Sequence, residues 1–142
     1  MSSGAAKAAK PPTVADLTWN GELKLSATVN KASLIIDGDG VAGPSPVDAL
    51  AVALAGCMAT DVASVLTKGR HPLRGLRAHL VAQRAQQNPH RFVGVDLRFT
   101  IEGGVPHDAV QRAIALSREK YCSVWHSMRQ DIDFVVTFEL RD

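Results

Sequence analysis

A mixed α+β fold is what this sequence predicts, and three observations carry it. Short apolar clusters between Thr13 and Asp37 are separated by turn-forming residues. A long run without a polar face follows a helix-start signal at Ser45, and the remainder supplies two alternating runs, an amphipathic helix and a terminal strand. The first clusters are Val14, Leu17 and Trp19; Leu23, Leu25, Ala27 and Val29; and Leu34, Ile35 and Ile36. Asn20-Gly21 and Asn30-Lys31 lie between them where hairpin turns belong, so three antiparallel strands in a meander are expected.

Asp37-Gly38-Asp39-Gly40 and Gly43-Pro44 then break the chain into a loop. Ser45 offers an N-cap hydroxyl, Pro46 the fixed φ of a first helical position, and Asp48 a carboxylate close to a capping box. From Ala49 to Ala59 every face of that helix is apolar, so it is expected to be surrounded by protein, and Ala55, Gly56 and Ala59 would admit another backbone closely. The apolar stretch from Val47 to Thr60 is about 14 residues, short of the roughly 20 that span a bilayer, which predicts a buried helix and no membrane anchor. Gly69 and Pro72 end it. Strands are expected over 76–84 and 92–101, separated by Gln87-Asn88-Pro89-His90. Pro106 opens a helix with Val110, Ala113, Ile114, Ser117 and Tyr121 on one face. A short helix over 122–128 and a strand over 132–140, with Phe134, Val136, Phe138 and Leu140 on one face, complete the chain.

The chain's 142 residues leave room for one domain, and 46% hydrophobic with 21% charged residues suffice for a core. Residues 1–12, rich in Ala, Ser, Lys and Pro, are expected to be a disordered tail. Residues 13–142 are expected to form the domain, with a β meander over 13–44, a central helix over 45–68 and an α/β part over 75–142. Sixteen Lys and Arg against fourteen Asp and Glu leave a net charge of +2, too small a field to favour nucleic acid or anionic lipid. The first residues carry no apolar run of the signal-peptide kind, which predicts a cytoplasmic protein.

Two cysteines, Cys57 and Cys122, are too few for a secreted disulfide scaffold and are either core thiols or a redox pair. Cys57 lies 12 residues beyond the N-cap, too deep for the helix dipole to matter, so a reactive thiol there needs a neighbour supplied by the fold. Cys122 stands where one helix gives way to another, and a helix start would lower its pKa. His126, four residues later, would share its face. No Cys-x-x-Cys or His-x-x-x-His spacing occurs, so no metal site is expected.

Two strings carry a resemblance. Gly43-Pro44-Ser45-Pro46-Val47-Asp48-Ala49-Leu50, continuing through Leu54-Ala55-Gly56-Cys57-Met58-Ala59-Thr60-Asp61-Val62, resembles the central-helix motif of the OsmC/Ohr family of thiol-dependent peroxidases, in its OsmC-like branch. Ala115-Leu116-Ser117-Arg118-Glu119-Lys120-Tyr121-Cys122-Ser123-Val124 resembles that family's second cysteine motif, and the likeness covers about residues 13 to 140. The resemblance implies an intertwined homodimer whose antiparallel sheets wrap long central helices, with active sites at the subunit interface. It implies that Cys57 attacks an organic hydroperoxide and becomes a sulfenic acid, that Cys122 resolves it as a disulfide, and that an external thiol or dithiol, with no bound cofactor, reduces the bridge. Leu54, Met58 and Trp125 would supply apolar walls.

The family's thiolate-stabilising arginine comes from its N-terminal sheet and is held by a carboxylate near the start of the central helix. Here no arginine precedes Arg70; Lys24 and Lys31 are the cations on the early strands, and Asp48 is the candidate carboxylate. That departure leaves an alternative: a non-catalytic dimer that binds an apolar or thiol-reactive small molecule at its interface.

Overall fold

The computed structural model describes residues 10–142; residues 1–9 of the expected tail lie outside the described residues. The chain forms two compact units, the first ending at Ala49 and the second running from Leu50 to Asp142.

In the first unit, β1 (Ala15–Trp19), β2 (Lys24–Val29) and β3 (Ala32–Asp37) make the expected antiparallel meander in sequence order. Its register pairs Leu17 with Ala27, Ala27 with Leu34 and Leu25 with Ile36, so one face is apolar throughout while Asp16, Thr18, Ser26 and Thr28 occupy the other. Much of that apolar face is bare: Leu17 and Leu34 are exposed, and Trp19 is 68% exposed. Asn30 turns the second hairpin with φ of 56°, a left-handed conformation that asparagine tolerates. Asp37 organises the loop that follows. Its buried carboxylate accepts the N–H groups of Asp39 (2.9 Å), Ala42 (2.9 Å) and Val41 (3.3 Å), and the Ala42 and Asp39 bonds hold its pKa below the ordinary carboxylate value.

Helix α1 spans Pro46–Lys68, and Ser45 Oγ accepts the Asp48 N–H at 3.2 Å, the cap its sequence announces. Burial differs from the expectation of a helix enclosed on every side. Leu54, Met58, Val62 and Leu66 form one buried stripe at four-residue spacing, while Val52 is 66% exposed. One chain supplies a cover for one side only. The helix also runs 23 residues at a mean hydropathy of 1.9 over its most apolar window, so by length and composition it is long enough to cross a bilayer, unlike the shorter apolar stretch within it.

The second unit carries a three-stranded sheet in the order β4 (Gly75–Arg84), β5 (Phe92–Glu102), β6 (Asp133–Arg141). Strand β4 is antiparallel to β5, but β6 is parallel to it, a departure from wholly antiparallel sheets. The cause is the connection: helix α2 (His107–Leu116), a π-helical turn (Ser117–Tyr121) and helix α3 (Ser123–His126) form a crossover that returns the chain to the starting end of β5. Val95, Leu97, Phe99 and Ile101 on one face of β5, Val110, Ala113 and Ile114 of α2, and Phe134 of β6 are buried with the α1 stripe, while Asp96 and Arg98 point the other way.

Candidate active site

Cys57 and Asp61 are four residues apart on α1, so they stand one above the other beside the buried stripe of Leu54, Met58 and Val62. Cys122 comes from the far side of the crossover. The amide of Cys122 donates to the Ser117 carbonyl at 2.8 Å, the five-residue bond that closes the π turn, and Cys122 then caps α3. The result is a compact group in which the two sulfurs and a carboxylate oxygen of Asp61 all lie within 4.8 Å of one another. Both thiols are free, Cys57 half-buried and Cys122 fully buried.

Ser117 completes the arrangement. Its hydroxyl, fully buried, donates to Asp61 Oδ2 at 2.7 Å and so ties the π turn to α1. Neither Asp61 nor Ser117 stands among the sequence-predicted site residues. A signal for each was present: Asp61 is one helical turn from Cys57, and Ser117 is the polar member of an otherwise apolar α2 stripe, where a buried hydroxyl requires a partner.

The Cys122 thiol is held protonated. Burial pushes its pKa up from 9.0 to about 11, and the neighbouring Cys57 adds to the rise against the opposing pull of the Trp125 N–H, which reaches Cys122 Sγ at 3.4 Å. The expectation that a helix start would lower it is therefore overturned, because four residues of helix cannot outweigh full burial. His126 does not turn to Cys122 either; its Nε2–H donates to the Arg118 carbonyl at 3.0 Å. Arg118 itself lies over the rings of Phe134 (4.9 Å) and Trp125 (5.9 Å).

Of the remaining predicted residues, Asp48, Lys24 and Lys31 belong to the first unit. Asp48 is exposed in the first turn of α1. Lys24 pairs with Glu22 at 3.0 Å, and Lys31 is exposed in the β2–β3 hairpin. Leu54, Met58 and Trp125 are core residues, not walls of an open pocket. An apolar groove of about 400 Å³ opens on a different face of α1 from Cys57 and Asp61, lined by small residues (Ala51, Ala55, Gly56 and Ala59) with Val52, Ala78 and Leu80.

Comparison with known proteins agrees with this architecture. Residues 37–137 match the family model described as OsmC-like protein. Protein YhfA of Escherichia coli strain K12 is 33% identical over 129 residues, covering 89% of this chain and 92% of its own. A hypothetical protein from Aquifex aeolicus superposes with a TM-score of 0.86 at 21% identity, covering 93% of this chain and 98% of that one. An organic hydroperoxide resistance protein OsmC from Legionella pneumophila superposes with a TM-score of 0.69 at 17% identity, covering 93% and 99%. These two superpositions establish a shared fold.

Proposed function

Because the chain belongs to the OsmC-like family, we propose that it is a cysteine-based peroxidase that reduces organic hydroperoxides in the cytoplasm, in a stress or detoxification role. One observation carries this reading: a half-exposed thiol stands in front of a buried one, although 65 positions separate them in the sequence. The half-buried Cys57 is the thiol more open to a peroxide, Cys122 being fully buried. The hydroperoxide resistance for which the Legionella protein is named suggests the oxidant class.

In the first step Cys57 sulfur attacks the outer peroxide oxygen. The O–O bond breaks, ROH leaves with the thiol proton, and Cys57 becomes a sulfenic acid. Cys122 then attacks that sulfur, its proton leaving with the hydroxyl as water, and a disulfide forms. Two equivalents of an external thiol, or one dithiol, return both cysteines to thiols and are themselves oxidised. The raised pKa of Cys122 suits this order, since a thiol that keeps its proton does not compete for peroxide but is in place to resolve. Asp48, carried over from the family resemblance as the residue that orients a cation, sits where its charge also favours the N-terminus of α1.

A second copy of the chain is part of the proposal, because the uncovered apolar face of the first sheet and the exposed Val52 side of α1 need a cover. Stopped-flow consumption of cumene hydroperoxide with a dithiol present is the test. Wild type should turn over, Cys57→Ser should fall to the uncatalysed rate, and Cys122→Ser should react once and then stall. Equal, slow consumption by wild type and Cys57→Ser would end the catalytic reading.

The groove favours the second reading, a non-catalytic dimer holding an apolar or thiol-reactive small molecule. Native mass spectrometry separates the two: a ligand that co-purifies with a chain lacking turnover supports binding alone.

A further inference from the structure

We infer that the reduced site is also a binding site for a soft divalent cation of the zinc class, ligated by Cys57 Sγ, Cys122 Sγ and a carboxylate oxygen of Asp61. The inference rests on the geometry of the three donors and does not depend on the peroxidase reading.

The donor set decides the kind of ion. Two sulfurs with one carboxylate select a thiophilic metal over magnesium or calcium, which take oxygen donors. The spacing agrees as well. Tetrahedral zinc with bonds of about 2.3 Å to sulfur places two sulfurs about 3.8 Å apart. The three donor atoms here lie within 4.8 Å of one another, so a closure of at most about 1 Å, within the reach of small side-chain rotations, brings them onto one ion. Cys57 and Asp61 come from successive turns of α1, the four-residue spacing that puts two ligands on one helical face in helix-borne zinc sites. Cys122 approaches from the cap of α3, so the ligands arrive from two elements around a common point.

An independent feature supports the assignment. Ser117 is fully buried, and its hydroxyl donates to Asp61 Oδ2, which fixes the carboxylate beside the sulfurs. Ligating carboxylates are commonly held in this way by a partner outside the ligand set. Three protein ligands leave a fourth position open beside the half-exposed Cys57. The reaction balances without a redox step: the ion replaces two thiol protons, which pass to solvent, and the carboxylate binds as it stands. A disulfide between the same cysteines removes both sulfur donors, so metal-loaded and oxidised states exclude each other.

The test uses the full chain, reduced under anaerobic conditions and then oxidised with diamide in a parallel sample. Zn²⁺ is titrated against a chromophoric chelator, and Cd²⁺ is followed by its thiolate charge-transfer absorbance. The expected result is one Zn²⁺ per reduced chain, none held by the oxidised chain, and a Cd²⁺ band that disappears in Cys57→Ser and in Cys122→Ser. Asp61→Ala should weaken Zn²⁺ at least tenfold. Ser117→Ala, which keeps all three donors, should weaken it by about ten- to a hundredfold. Circular dichroism confirms that each variant is folded. Zinc retained by the Cys57→Ser/Cys122→Ser double variant, uptake unaffected by diamide, or Asp61→Ala binding as tightly as wild type would each overturn the site. A protein without peroxidase turnover that still binds one Zn²⁺ supports the site, and an active peroxidase that binds none refutes it.

Discussion

Ser117 shows how one hydroxyl holds the site together. It is buried where the α2 stripe calls for an apolar residue, and its hydrogen bond to Asp61 is the link between the π turn and α1. Ser117→Ala should therefore cost about 1–3 kcal/mol in urea unfolding, the usual penalty when a buried acceptor loses its donor. Cys122 gives a second prediction, for the reduced protein with chelator present. Its folded pKa of about 11 lies above the ordinary 9.0, so between those values the unfolded chain releases a proton that the folded chain keeps. Stability from this group is whole below pH 9 and is lost as pH rises toward 11. Thermal midpoints measured over that window should fall for wild type, and the part of the fall due to this thiol should be missing in Cys122→Ala. Asp37 has the opposite sign. Its pKa is lowered by the Ala42 and Asp39 amides, so its contribution is present above the ordinary 3.8 and is lost as acid protonates it, and Asp37→Ala should flatten the acid limb of the same curve.

The π turn explains why part of this site was hidden in the sequence. Heptad-like spacing in Ala113-Ile114-Ser117-Tyr121 describes a helix that continues regularly, and nothing in that pattern announces the extra residue that rotates Cys122 toward Cys57. Capping and turn chemistry were legible: Ser45-Pro46 starts α1, and Asn20-Gly21 and Asn30-Lys31 turn the meander, because those signals act over a few residues. The direction of β6 was not, since strand pairing across the crossover is a long-range outcome that alternation cannot encode. The link from β5 to α2 depends on a similar local requirement. Gly103 has φ of +124°, and a Cβ there would run into the Pro72 carbonyl, whereas Gly104 at +74° faces open space. Gly103→Ala should therefore lower the thermal midpoint clearly more than Gly104→Ala, and equal losses would show that conformational strain alone, without the close approach, governs this turn.

A chain that leaves so much apolar surface bare is difficult to reconcile with a solitary molecule. The first sheet has one face built from Leu17, Trp19, Leu34 and their neighbours, and α1 buries a single stripe although it is apolar all round between Ala49 and Ala59. Patches of this kind on soluble proteins mark interfaces, and burying them at about 25 cal/mol per Å² couples folding to association. The sequence carried this requirement in the missing polar face between Ala49 and Ala59, but it could not say which side a single chain would cover. Gly56 sharpens the point, because among the described residues nothing beyond its own helix backbone lies within 4 Å of where its Cβ would be, and Ala55 and Ala59 beside it keep the surface low enough for a second helix to approach. Sedimentation equilibrium should find a dimer at micromolar concentrations, with a thermal midpoint that rises with protein concentration. Val52→Glu places a charge on the exposed side of α1 without touching the buried stripe of Leu54, Met58, Val62 and Leu66. It should shift the equilibrium toward monomer and abolish the concentration dependence. If Val52→Glu stays dimeric with an unchanged midpoint, this side of α1 is not the association surface.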